Sequence, residues 1–319
     1  MKKQTKIILC GSIAIDRIMS FSGKYKDVLD LAENDVLSIS VFLSNLKNNY
    51  GGVGANIAYT LALLGDKPIL VGSVGKEASL YLQKLLSLGI DISNIHLSDL
   101  ETASFNVITD GMNNQIGGFY PGAMFDSDKQ TLKKWKDKNV LVIISPHDPK
   151  AMRRQIEECS KYKFQMCYDI GQQVLNTSKE DLIFGLSKAD ILILNEFEMK
   201  ALCKKTNNSQ VLLKSKIPLV ITTFGEKGSV IEGKDLSSKI KIDSIKLDEI
   251  IDPTGAGDAY RGGFFYGYAR GFDLRTCGQM GALAAAYAIG KHGTQEHSFT
   301  KEEYTKKYES CFGEKLLLI

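Results

Sequence analysis

Between residues 140 and 222 the chain carries four short, almost uninterrupted apolar runs, at 140–144, 164–169, 191–194 and 219–222, separated by helical stretches of moderate length. A strand that is apolar on both faces has no side left for water, so it belongs in a sheet covered above and below. Such strands alternating with helices build a parallel α/β sheet. The runs at 7–10, ending on Gly11, and 69–71 read as two further buried strands. Helices are expected over 55–64 and 77–88, each stopped by a glycine, Gly65 and Gly89. Long helices over 257–270 and 274–289 and a charged one near 301–309 follow.

Two stretches lack this rhythm. Residues 12–42 mix polar and apolar side chains without a helical period and include an alternating segment at 36–41. Runs at 104–109 and 115–120 flank Asp110-Gly111-Met112-Asn113-Asn114 and predict a hairpin. The expectation is one α/β domain over 1–319, with a small discontinuous β lid from about 12–42 and 100–121. Internal repeats, low-complexity tracts and linkers are missing from the sequence.

The charge balance excludes some partners. A net charge of +3, with lysines scattered among acids, is too small to mark nucleic acid or a membrane surface as the partner. The apolar run near the N-terminus is too short for a signal peptide and is interrupted by Asp16 and Arg17. Six cysteines form no CxxC pair, and four histidines show no metal-ligand spacing. These features are those expected of a cytoplasmic protein with free thiols and no zinc.

The chemistry concentrates at 250–267, IIDPTGAGDAYRGGFFYG. An acid, a proline and glycines run directly into an apolar-periodic helix. Glycines let a ligand approach the backbone, and a helix start presents unpaired N–H groups and the positive end of a dipole. Asp258 lies at the rim of that anion site, where a carboxylate can take a proton from an attacking hydroxyl. Anion cradle plus base is the minimum apparatus for phosphoryl transfer. The plainer alternative is an ordinary N-terminal acid stabilised, and kept ionised, by the dipole.

Four other places offer weaker signals. Gly51-Gly52-Val53-Gly54-Ala55-Asn56 leads into a helix, either for a polar ligand whose hydroxyls Asn56 holds or merely as a hinge. Asn195 and Glu198 follow a strand at its carboxyl end, where open α/β sheets bind ligands. They suit Mg²⁺ held through water or, equally, a helix capping box. Thr222-Thr223-Phe224-Gly225-Glu226-Lys227-Gly228 forms a nucleotide wall or a surface turn. Asp16, past the first strand, is either an acceptor for sugar hydroxyls or a solvated loop acid. No GxxxxGK[ST] stretch is present and no GxGxxG follows a strand, which excludes a P-loop NTPase and disfavours a dinucleotide enzyme.

Taken together and in this order, Asp16, 51–56, 195–198, 222–228 and 252–258 resemble the ribokinase family, the PfkB-type carbohydrate and nucleoside kinases, over nearly the whole chain. The resemblance implies a Rossmann-like three-layer α/β sandwich with a small β-sheet lid. It also implies ATP as donor, Mg²⁺ and often a monovalent cation such as K⁺. Carried over, it makes Asp258 the base and gives the anion-hole amides to Gly255, Ala256 and Gly257. Asp16, Gly52 and Asn56 would bind acceptor hydroxyls, Asn195 and Glu198 would organise phosphate and Mg²⁺, and Thr223, Gly225, Gly228 and Gly293 would line the ATP site. The stretches GSIAIDRIM, GFYPGAM and DPTGAGDAYRGG look most like the adenosine and nucleoside kinase branch. Phe119 would stack on a purine, and Gln172 is a further acceptor contact. The implied reaction is phosphorylation of a nucleoside, adenosine first, at its 5′-hydroxyl. A ribokinase- or fructokinase-type sugar kinase and a non-catalytic nucleoside sensor are the alternatives. A homodimer through the lid is compatible with the reading.

Overall fold

A computed structural model describes residues 5–29, 40–247 and 249–318. Its strands, in chain order, are β1 (Lys6–Cys10), β2 (Ala14–Phe21), β3 (Leu43–Gly51), β4 (Ile69–Gly75), β5 (Asp91–Ser98), β6 (Ala103–Thr109) and β7 (Gln115–Tyr120). They continue as β8 (Val140–Ile144), β9 (Gln165–Tyr168), β10 (Ile191–Asn195), β11 (Leu219–Thr223), β12 (Ser229–Glu232) and β13 (Ile240–Ile242). Nine of them form one sheet in the order β13-β12-β11-β10-β9-β8-β1-β4-β5, and four form a second in the order β3-β2-β6-β7.

The apolar strands behave as their composition requires. Ile7 and Leu9 face one core, with Leu141 and Ile143, while Ile8 and Cys10 face the other, with Val142 and Ile144. Helices Val53–Leu63, Ser79–Ser87, Ala256–Ala269, Leu274–Ile289 and Lys301–Phe312 cover the first face. Helices Pro149–Tyr162, Lys179–Lys188 and Glu196–Thr206 cover the second. The result is a ribokinase-like three-layer α/β fold with a small extra sheet. Its chain order reverses between β1 and β8, which places a crevice at their carboxyl ends.

Three expectations change. The large sheet is mixed, because β12 runs antiparallel to both its neighbours, β11 and the edge strand β13. These strands, and β5, are half-exposed or short, so they lack the continuous apolar signature. The small sheet takes its third strand from Leu43–Gly51, beyond the 12–42 bound, because that strand (LSNLKNNYG) is mostly polar and solvent-facing. The helix expected from Glu77 begins with a 3₁₀ turn, Lys76–Ala78, and becomes α-helical at Ser79. Most of the alternating segment 36–41 lies outside the described residues. Cys10, Cys159, Cys167 and Cys277 are buried free thiols. Among the described residues, no helix is long and apolar enough to cross a membrane.

Candidate active site

The helix Ala256–Ala269 starts from Gly255, whose φ of 80° is a left-handed conformation and whose missing Cβ would stand 3.0 Å from the Thr294 side chain. Asp252 ties this turn down. Its carboxylate accepts from the Thr254 N–H at 2.9 Å and from the Gly293 N–H at 3.0 Å. Burial works to raise the Asp252 pKa, but those donors outweigh it and hold the carboxyl below its ordinary value. The first amides of a helix have no intrahelical acceptor. Of those expected to form the anion hole, Ala256 donates to the Pro253 carbonyl at 3.2 Å. This differs from the expectation for Ala256: the turn closes on itself through that amide, whereas among the described residues the Gly255 and Gly257 N–H groups meet no acceptor.

Asp258 points from the first turn into a buried polar cluster. Asn56, on the helix Val53–Leu63, donates from Nδ2 to Asp258 Oδ2 at 2.8 Å. Burial pushes the Asp258 carboxyl up to about 6, against the downward pull of Arg261 and of the Asn56 donor. Burial thus outweighs the lowering that a place in the first turn of a helix favours, which the plainer alternative for Asp258 had relied on. Asp16 stands on β2, not in a solvated loop, and is likewise pushed up to about 6, first by burial and then by the charge of Asp258. Asp16 thus senses the Asp258 charge, so the small sheet and the glycine-started helix share one space.

A second layer of charge lies beneath. Arg261, one helical turn after Asp258, grips Asp169 through two bonds, Nε to Oδ2 at 2.7 Å and Nη2 to Oδ1 at 2.6 Å. It also donates to the Gly257 carbonyl at 3.1 Å and approaches Glu198 Oε2 at 3.9 Å. Burial pushes the Asp169 carboxyl up while Arg261 pulls it down. A buried cation shared by several acids holds the loop backbone and the carboxylates in one geometry. Asp169 and Arg261 escaped the sequence reading, although both stand within or beside motifs it singled out. Only their burial distinguishes them from solvated charges.

The small sheet contributes a row of side chains. In register across β3, β2, β6 and β7, Asn49, Asp16, Phe105 and Phe119 are neighbours, so they share one face. Phe105 and Phe119 remain 40% and 51% exposed. About half of the Phe119 ring is therefore left uncovered by the body. Phe105 and Asn49 were missed because the strand pairing that aligns them with Asp16 is not visible in one dimension.

At the other end of the crevice, Asn195 and Thr223 are register partners at the carboxyl ends of β10 and β11. Asn195 caps the helix Glu196–Thr206. Its side chain accepts from the Glu198 N–H at 2.8 Å, and its own N–H donates to Glu198 Oε2 at 2.7 Å. The capping box that the spacing allowed is thus present. Gly225 has φ 58° with open space beside it, whereas a Cβ on Gly228 would strike the Ile242 carbonyl oxygen. Gly228 is required by the approach of β13. Gly52, with φ 93°, is required because a Cβ there would stand 2.6 Å from the Ser12 carbonyl oxygen. Gln172 lies exposed in the 3₁₀ turn Gly171–Val174, and no contact joins it to Asp258 or Asp16.

The family model for pfkB family carbohydrate kinases matches residues 24–301. The chain belongs to this family. As a member it is a phosphotransferase that acts on an alcohol acceptor. A nucleoside kinase of Methanothermobacter thermautotrophicus is 34% identical over 291 residues, covering 90% of this chain and 93% of that protein. The nucleoside kinase of Burkholderia thailandensis in complex with inosine superposes with a TM-score of 0.85 at 32% identity, covering 97% of this chain and 99% of that one. The same enzyme in complex with ADP-inosine gives a TM-score of 0.83 at 32% identity, covering 97% of each chain. The pfkB family is the ribokinase family named by the sequence motifs, and its nucleoside kinase branch is the one these relatives represent.

Proposed function

We propose that the protein transfers the γ-phosphoryl group of ATP to the 5′-hydroxyl of a ribonucleoside, adenosine first, with Asp258 as general base. The observation that carries the proposal is the half-buried Asp258 carboxylate, set at an open glycine-started helix and held by Asn56 at 2.8 Å. The Burkholderia relative bound to inosine and to ADP-inosine supports a nucleoside acceptor and an adenine-nucleotide donor. Asp16, Gly52 and Asn56 hold the ribose hydroxyls, Phe119 and Phe105 offer faces to the base, and Gln172 is retained as an outer contact. Asn195, Thr223, Gly225, Gly228 and Gly293 border the nucleotide.

Asp258 removes the hydroxyl proton as the oxygen attacks the phosphorus. With a pKa of about 6 it is roughly nine-tenths ionised at pH 7. The N–H groups of Gly255 and Gly257 receive the charge that spreads over the transferring group. Magnesium supplies charge neutralisation between the phosphates when bound. Among the described residues no group of three or more His, Cys, Asp or Glu can hold a metal. Glu198, with one oxygen engaged in its capping box, therefore suits contact through water. A second copy paired through the small sheet would cover β7, an edge strand whose six residues are all exposed.

The test is ADP release by the purified protein with Mg·ATP and adenosine, inosine, guanosine, cytidine, ribose and fructose in turn. Asp258→Asn is expected to lower kcat by about 10²–10⁴ with acceptor affinity nearly unchanged. The wild-type kcat/KM should rise with pH through about 6 and level off above, because the base must be ionised. Near-normal turnover by Asp258→Asn would remove the base assignment. Turnover on free sugars alone would move the acceptor to the sugar class, and nucleoside binding without any turnover would make the protein a sensor.

A further inference from the structure

A chain of buried hydrogen bonds behind Asp258 has a fixed direction. The Tyr81 hydroxyl donates to the Gly51 carbonyl at 2.7 Å. A backbone carbonyl can only accept, so the phenol oxygen is left to accept in turn. Burial raises the Tyr81 pKa, so it keeps the proton it donates. Gln295 Nε2 donates to Tyr81 at 2.6 Å and to Asn56 Oδ1 at 2.9 Å. With its oxygen engaged there, Asn56 has only its Nδ2 to offer Asp258. Tyr81, Asn56 and Gln295 are all buried, at 1%, 4% and 2% exposure. The Gln295 Oε1 atom has no partner. Leaving a buried amide oxygen unpaired costs free energy, and the two acceptors of Nε2 account for its being tolerated.

We infer that Gln295, set by Tyr81, is a positioning residue: it fixes the Asn56 amide so that a donor, not an acceptor, meets the Asp258 carboxylate. Turned the other way, Asn56 would present an oxygen to an anion, and the carboxylate would be favoured only when protonated. The inference rests on the reading of Asp258 as base. The other charged groups around Asp258 are Arg261 on its own helix, Glu198 on the helix Glu196–Thr206, Asp169 after β9 and Asp16 on β2. The Asp16 charge reaches Tyr81 but none of these groups hydrogen-bonds to Gln295 or Tyr81, so neutral substitutions at those positions leave the charges in place.

The experiment compares the acid limb of kcat/KM against pH for wild type, Gln295→Met, Tyr81→Phe and the double variant, with Asp258→Asn alongside. Met keeps the length of Gln295 without its polarity, and Phe removes one oxygen. Both single variants should move the limb to higher pH, by about half a unit to one unit, which is about a three- to tenfold loss of kcat/KM on that limb. The double variant should move it no further than Gln295→Met, because both act through one amide. KM for ATP should stay unchanged. If Gln295→Met does not fold, Tyr81→Phe carries the test. An unmoved limb in a folded variant, with Asp258→Asn inactive, overturns the inference alone. An active Asp258→Asn overturns the base and the inference together.

Discussion

Two glycine-rich turns in this molecule lead into helices, and they are used in opposite ways. The turn before Val53–Leu63 is closed. Ser12 accepts from the Val53 N–H through Oγ at 3.0 Å and from the Ala55 N–H through its carbonyl at 3.3 Å. A Cβ on Gly54 would come within 2.8 Å of Gly11 Cα, so that glycine exists for the contact between helix and strand end. At the turn before Ala256–Ala269, among the described residues, no residue from another segment accepts from the helix-start amides, and the Gly255 and Gly257 N–H groups stay available. Similar composition thus gives a packing joint in one case and an open helix start in the other. What differs is whether a distant residue arrives to satisfy the helix start.

That contrast can be broken by substitution. Gly255→Ala should have the largest effect, since Ala at φ 80° is strained and its Cβ would meet Thr294. The loop would shift, and a displacement of that kind costs on the order of 10² in turnover. Steady-state kinetics should show the loss in kcat, and an unaltered kcat would mean that the open turn is not the reaction site. Gly54→Ala should act on stability instead, by about 1–3 kcal/mol from overpacking against Gly11. Denaturant unfolding reads this directly. A drop in kcat per folded molecule larger than that of Gly255→Ala would reverse the assignment of the two turns. Ser12→Ala should be mildest, with about 0.5–2 kcal/mol lost with the cap of the helix Val53–Leu63. Thermal unfolding should detect it while kcat stays near wild type.

The strands buried on both faces were legible because their chemistry is one-dimensional: β8 spans the residues its composition marked, and the helix Leu274–Ile289 does the same. The edge strands β12 and β13 were not, since short half-exposed strands carry no continuous apolar run. At the site, Asp258 and Asn56 were each marked by a local motif, and the structure joins them with one hydrogen bond. Gln295 and Tyr81 had no motif to announce them, and Arg261 stood inside one without being distinguished from a solvated charge. A glutamine or tyrosine becomes a positioning group only when distant segments bury it against a particular partner. The direction of the Gly51–Tyr81–Gln295–Asn56 chain depends on such partners alone.

By itself, then, the sequence determined the layered α/β class, the glycine-started helix with its acid, and the family to which they belong, because periodicity and local turn chemistry are properties of neighbouring residues. Tertiary structure decided which glycine turn stays open and raised Asp258 and Asp16 to about 6, first through burial and then through neighbouring carboxylates. It also set Phe105 and Phe119 in one row with Asp16. Each of these depends on groups far apart in the chain meeting where water is excluded, which strengthens charge interactions and makes every unpaired polar atom costly.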